Sequence, residues 1–160
     1  RNLHATAKLV VEQFEGLFDR SVPALERPGP PRADVQDVKL GNLVALDSAG
    51  LDRTDLASGD TLHLVLVWRP LQALTRDYKL FVHVADAGGR PLAQWDGAPL
   101  LNTGRTSQWP VGQRVEDHAL LALPEDLPAG EYAVLVGLYE GATGERVGNQ
   151  AVRVAEIRVR

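Results

Sequence analysis

Cysteine and methionine are absent from the 160 residues, and isoleucine occurs once. Without cysteine there is no thiolate nucleophile, no Cys-ligated zinc and no iron–sulfur cluster, and stability owes nothing to disulfides. The redox compartment stays open. Excess charge is also lacking: 17 Lys and Arg face 21 Asp and Glu, a net −4, so no basic face for a phosphate backbone, and hence no nucleic-acid partner, is expected. Long apolar runs are missing too. The longest, Leu64–Trp68 and Ala119–Leu123, hold five residues each, far below the roughly 20 that a helical membrane span requires. No direct membrane insertion is expected, and Leu9-Val10-Val11 is too short for the apolar region of a secretory signal. A chain with no methionine, even at position 1, is expected to be an excised piece of a longer protein.

What is present suffices for one packed core. Leu, Val, Ile and Phe together number 46, above the level below which chains tend to stay disordered, and the length suits one domain. Three segments are expected. Over 1–21, Leu3, Ala7, Val10, Phe14 and Leu17 recur at alternating steps of four and three, the stripe of an amphipathic helix that could seat on the following domain, pair with another helix or form the tail of a stalk leaving a membrane, docking being the simplest of the three. Over 22–34, Pro23, Pro28, Pro30 and Pro31 deny a helix its N–H groups and make a stiff linker. Over 35–160 the period becomes two. In Thr61–Arg69, Leu62, Leu64, Leu66 and Trp68 share one side while His63, Val65, Val67 and Arg69 share the other. Tyr78, Leu80, Val82 and Val84 form a second stripe, and Tyr132, Val134, Val136 and Leu138 a third. Asp86–Arg90 and Glu140–Glu145 read as tight hairpin connections.

Strands are expected near 35–46, 61–69, 78–86, 91–96, 114–122, 131–139 and 147–159. Val152 and Val154 lie out of phase with Ile157 and Val159, so a bulge near Ala155-Glu156 is needed to bury all four. Tyr132 is placed to hydrogen-bond nearby backbone as a corner tyrosine does. With no crossover helices, the fold class is all-β: an immunoglobulin-like or jelly-roll antiparallel β-sandwich of about seven to eight strands, preceded by one N-terminal helix.

Catalytic signatures are sparse. None of the four serines sits in G-x-S-x-G, and no H-E-x-x-H, P-loop or G-x-G-x-x-G occurs. No catalytic residue, no metal and no cofactor are expected. His63, His83 and His118 lack close ligand spacing and are expected as partly exposed strand residues. Asp86 opens a Gly-rich turn but lacks the D-x-D-x-D pattern of calcium loops. Glu116-Asp117 and Asp96 are the carboxylates that a cleft between strands could bring together, which a small hydrolase would require. The most suggestive stretch runs from Trp95 and Asp96 through a long loop holding Asn102, Arg105, Gln108 and Trp109. Flat rings beside planar hydrogen-bonding groups suit a sugar, with its apolar face and hydroxyl rim. Packing of the same loop is the competing expectation, and Trp68 belongs to the core.

Gly59–Trp68, Asp77–Asp86, Ala93–Asp96, Trp109–Gly112 and Pro128–Tyr139 together resemble the soluble β-sandwich domains appended to bacterial multi-span membrane proteins of the family 39, protein-mannosyltransferase-like glycosyltransferase type. The resemblance spans about residues 38–148. It implies that glycosyl transfer belongs to a membrane portion with no counterpart here, and that this chain is a non-catalytic accessory module at the extracytoplasmic face of the cell membrane. A glycan and the parent's own membrane domain are the partners it implies. A more distant similarity to sugar-recognising sandwich domains of polysaccharide exporters points the same way. The alternative is a structural or protein-interaction sandwich with no ligand.

Overall fold

The structure, a computed structural model, describes residues 37–99 and 104–160. The helix expected over 1–21, the linker over 22–34 and Asn102 lie outside the described residues. In chain order the strands are β1 (Val38–Leu40), β2 (Val44–Leu51), β3 (Asp55–Leu56), β4 (Thr61–Pro70), β5 (Tyr78–Ala85), β6 (Pro91–Gly97), β7 (Val115–Ala122), β8 (Gly130–Glu140) and β9 (Val152–Val159). They form an all-β sandwich of a four-stranded sheet, β1-β2-β4-β7, and a five-stranded sheet, β3-β9-β8-β5-β6. Every neighbouring pair is antiparallel except β3 and β9, which run parallel over two residues.

The alternation read from the sequence builds the core. Leu62, Leu64, Leu66 and Trp68 of β4 face Leu80, Val82 and Val84 of β5 and Val134, Val136 and Leu138 of β8, all fully buried. Each such aliphatic side chain contributes roughly 1.5–3 kcal/mol relative to exposure. One polar group enters this layer. Asp117 of β7, 0% exposed, shares its inward side with Val115 and Ala119 and accepts a hydrogen bond from Trp68 Nε1 at 3.2 Å.

Three expectations about the strands change. The single strand over 35–46 is two, because Gly41 takes φ +56° and turns the chain back, so that Val38 pairs with Leu46. The second of these continues to Leu51 through a register shift between Leu46 and Ser48. Strand β3, only two residues long, carries too short a pattern to be read. The bulge in β9 falls one residue earlier than expected: Val134 pairs with Ala155 but Leu135 with Arg153, leaving Val154 as the extra residue. Val152, Val154, Ile157 and Val159 are all buried in consequence. The Tyr132 hydroxyl donates to Pro128 O at 2.6 Å.

Both hairpin connections form as read. At the first, the Asp86 carboxylate accepts from the backbone N–H of Gly88 and of Arg90 at 3.0 and 2.9 Å, so this side chain stabilises the turn itself. At the second, Gly144 (φ +73°) closes the turn between Glu140 and Glu145. Beyond it Gly148 (φ +66°) lies against β1, where an added Cβ would stand 2.4 Å from the backbone N of Gly41. Gly144 has open space around it. Gly144→Ala should therefore cost about 1 kcal/mol, the left-handed backbone penalty alone, whereas Gly148→Ala adds a collision with backbone that cannot yield and should cost several-fold more. Urea unfolding of the two variants checks this, and equal midpoints would contradict it.

Candidate functional site

Of the described residues expected around the β6 loop, Trp109 is buried, and Trp95 and Asp96 take opposite sides of β6. Trp109 is 3% exposed and stacks on Trp68 with ring centroids 6.5 Å apart, so it is a core side chain rather than a ligand platform. Trp95 is half-buried and packs against the core from the inner side of β6, beside Ala93. Asp96, one residue on, points the opposite way and is exposed. Arg105 and Gln108 are exposed on the short turn around Thr106–Gln108. Thr106, fully buried, ties that turn down: its hydroxyl accepts from Tyr78 N and donates to Arg76 O, both at 2.8 Å. Asp77 accepts from the backbone N–H and the hydroxyl of Ser107. The loop is thus anchored by packing, which was the competing expectation.

Instead, a ring-bearing surface lies on the outer side of the five-stranded sheet, and Asp96 is the one expected residue that belongs to it. Register fixes its layout. Lys79 is opposite Tyr139, Phe81 is opposite Gly137 on one flank and Asp96 on the other, and His83 is opposite Leu135 and Gln94. Phe81 can lie across β8 because residue 137 has no side chain; a Cβ there would come within 2.4 Å of its Cζ. The ring is only 2% exposed although it stands on an outer face. His83 (centroid separation 4.9 Å) and Tyr139 (6.2 Å) flank it, and the Arg146 guanidinium lies over it at 4.7 Å, a cation–π contact.

Electrostatics give the surface its chemistry. Burial raises the Tyr139 phenol, and the Asp96 carboxylate raises it further. His83 is lowered mainly by burial, with Asp96 opposing and Arg146 reinforcing the shift. At neutral pH the tyrosine is therefore a neutral hydroxyl and the histidine an uncharged imidazole, both within the field of one carboxylate. Rings, hydroxyl, imidazole, amide and carboxylate side by side suit non-covalent recognition of a molecule with a flat C–H face and a hydroxyl rim. The clue to this surface was the outward phase of β5, where Phe81 and His83 alternate with the core residues.

A second cluster lies on the outer side of the other sheet. His63 and His118, expected to be partly exposed, are each only 5% exposed. His63 Nε2 and His118 Nδ1 are 2.8 Å apart, and His118 Nε2 is 3.7 Å from a Glu116 oxygen. One hydrogen must lie between the two rings. The assignment that suits all three groups has His63 Nε2–H donating to His118 Nδ1, with the His118 Nε2–H turned to Glu116. Burial, aided by His118, lowers the His63 imidazole to about 3. Glu116 is lowered by its interaction with the His118 side chain, against burial, which raises it. Asp52 completes the cluster: it accepts from His63 N at 3.2 Å, and burial raises its carboxyl.

This placement removes the carboxylate cleft expected of a hydrolase. Asp117 faces the core, Glu116 the outside of the four-stranded sheet, and Asp96 the outside of the five-stranded one. Ser48 stands two strands from Glu116, across Val67. Among the described residues no group of three or more His, Cys, Asp or Glu side chains is arranged to hold a metal ion, and no helix is long and apolar enough to cross a membrane.

The chain is an all-β sandwich domain. Among solved structures it is similar to the crystal structure of the C-terminal domain of Wzt, with a TM-score of 0.57 and 13% identity over 88% of this chain and 89% of that one. At this identity the likeness shows the fold. A match to Pseudomonas fluorescens alkylpurine DNA glycosylase AlkC bound to DNA, at a TM-score of 0.36 and 11% identity over 69% of this chain and 28% of that one, carries no argument. No protein-family model and no curated protein matches the chain, so the resemblance to glycosyltransferase-appended domains gains no support from these comparisons.

The histidine pair makes stability depend on pH. Unfolded, His63 takes up its proton near 6.5; folded, it stays neutral down to about 3. Across that interval the unfolded chain binds more protons, so stability falls as pH falls, by at most about 1.4 kcal/mol per pH unit for this one group. Asp52 works in the opposite sense, since a raised carboxyl destabilises the fold as pH rises. The difference between the parent and His63→Gln isolates the histidine. Chemical denaturation between pH 6.5 and 4.5 should give a flatter profile for the variant, and parallel profiles would refute the assignment.

Proposed function

We propose that this chain is a non-catalytic accessory module that binds glycan on the outer side of its five-stranded sheet. The observation that carries the reading is the pair of partly exposed rings, Tyr139 and His83, seated against the buried Phe81 ring and bordered by Asp96 and Gln94. There a hexose ring can lie against aromatic edges and faces while its hydroxyls meet a carboxylate and an amide. The sequence similarity to sugar-recognising sandwich domains of polysaccharide exporters supports the same ligand class. Placement at the extracytoplasmic face, beside a membrane glycosyltransferase-like protein, belongs to the proposal and is supported by sequence resemblance alone.

Titration of the chain with a panel of bacterial surface polysaccharides, followed by calorimetry, tests the reading. Binding is expected with a Kd between micromolar and millimolar. Tyr139→Ala should weaken it at least tenfold, about 1.4 kcal/mol, a loss that fits removal of one stacking ring. Gln108→Ala, on the anchored loop, should leave it unchanged. If no glycan binds at millimolar concentration, the ligand-free interaction module takes its place.

A further inference from the structure

The same surface carries charge of one sign at one end, and that charge selects among glycans. Tyr139 lies between two cations. Lys79 is its cross-strand partner on β5, and Arg146 bridges to it from the far side. Two strand spacings, roughly 10 Å of backbone, separate the pair. Neither cation is loosely placed. The stem of Lys79 runs along Gly141, where a Cβ would stand 3.0 Å from its Cε, so the missing side chain there leaves a lane for it. Arg146 is seated on the Phe81 ring.

Neither has an ion-pair partner among the described residues, although acidic groups are close in sequence. Glu140 is bound to Arg76 at 2.5 Å, and Glu156 to Arg153 at 2.6 Å. Asp96 stands at the opposite border, opposite Phe81 rather than Tyr139. The surface therefore presents two seated positive groups that make no ion pair among the described residues, with the Asp96 carboxylate across the Phe81 ring, on a protein whose net charge is −4. A local positive field attracts a ligand that carries its own negative group, even on a protein whose overall charge is negative.

Resting on the glycan-binding reading above, we infer that the ligand is an acidic glycan, whose sugar carboxylates meet Lys79 on one side of Tyr139 and Arg146 on the other while its hydroxyls reach Asp96 and Gln94. Arginine meets a carboxylate with two parallel N–H donors, which fixes its orientation, and lysine attracts one as a point charge.

The test compares polygalacturonate, alginate and hyaluronate with fully methyl-esterified polygalacturonate and with dextran, using calorimetry on the whole chain. At least one polyuronate should bind, with affinity falling severalfold between 50 and 500 mM salt as the charges are screened. The methyl ester should bind at least tenfold more weakly than the free acid. Lys79→Ala and Arg146→Ala, both exposed and expected to fold, should each weaken binding of the acid severalfold and narrow the difference between the acid and its methyl ester.

Several outcomes overturn the inference. If the ester or dextran binds as tightly as the acid, the charge selection is wrong while the glycan-binding reading stands. If polyglutamate competes as well as a polyuronate, the patch is a general anion surface and the sugar is not recognised. If no acidic or neutral glycan binds at all, the reading beneath the inference falls with it.

Discussion

Everything in this molecule depends on the pleat of its strands. Because neighbouring residues on a strand must point to opposite sides of the sheet, each strand delivers one set of side chains to the dry layer and a second, independent set to the exterior. In β5 the inner set is Leu80, Val82 and Val84, and the outer set is Lys79, Phe81 and His83. The inner set fixes how the two sheets meet and in which register β5 lies between β6 and β8. Once that register is fixed, the outer set has no freedom of placement. Phe81 must fall opposite Gly137, and Lys79 opposite Tyr139. The stability of the core and the layout of the candidate surface are thus two results of one geometric rule.

Glycine 137 illustrates how little sequence change separates a bland sheet face from a ligand surface. A strand interior gains nothing from glycine, which has no side chain to pack and weakens the strand. Here the vacancy is filled by the ring of Phe81 from the next strand, and the ring in turn supports His83, Tyr139 and Arg146. The same logic holds on the opposite sheet in polar form. The pair of histidines between β4 and β7 replaces apolar packing with a hydrogen bond in which burial keeps the His63 ring neutral, and this makes acid an adversary of the fold.

Much of the architecture was legible in the sequence because it rests on local signals. Alternation in Thr61–Arg69, the phase change before Ile157 and the glycine turns at Asp86–Arg90 and Glu140–Glu145 each announce themselves within a few residues. What was not legible depends on pairing between distant strands. The outer surface becomes visible only when Phe81, Asp96 and Gly137, spread over 57 positions, are known to be neighbours. Composition drew attention instead to the tryptophans near residues 95–109, whose chemistry suits sugars but whose size suits cores equally well. Trp109 went to the core because it could stack on Trp68. Asp117 was misjudged for the converse reason: a carboxylate is expected outside, yet this one lies inward, where it accepts the Trp68 indole hydrogen.

The lengths of the border strands give the sandwich a sidedness of its own. On one flank the sheets end in β1 and β3, three and two residues long. On the other they end in β6 and β7, seven and eight residues long and in contact with each other. Short borders offer an incoming chain few backbone groups to grip, whereas long ones expose a ladder of them. Among the described residues, an incoming strand would therefore meet the longest border strands at β6 and β7.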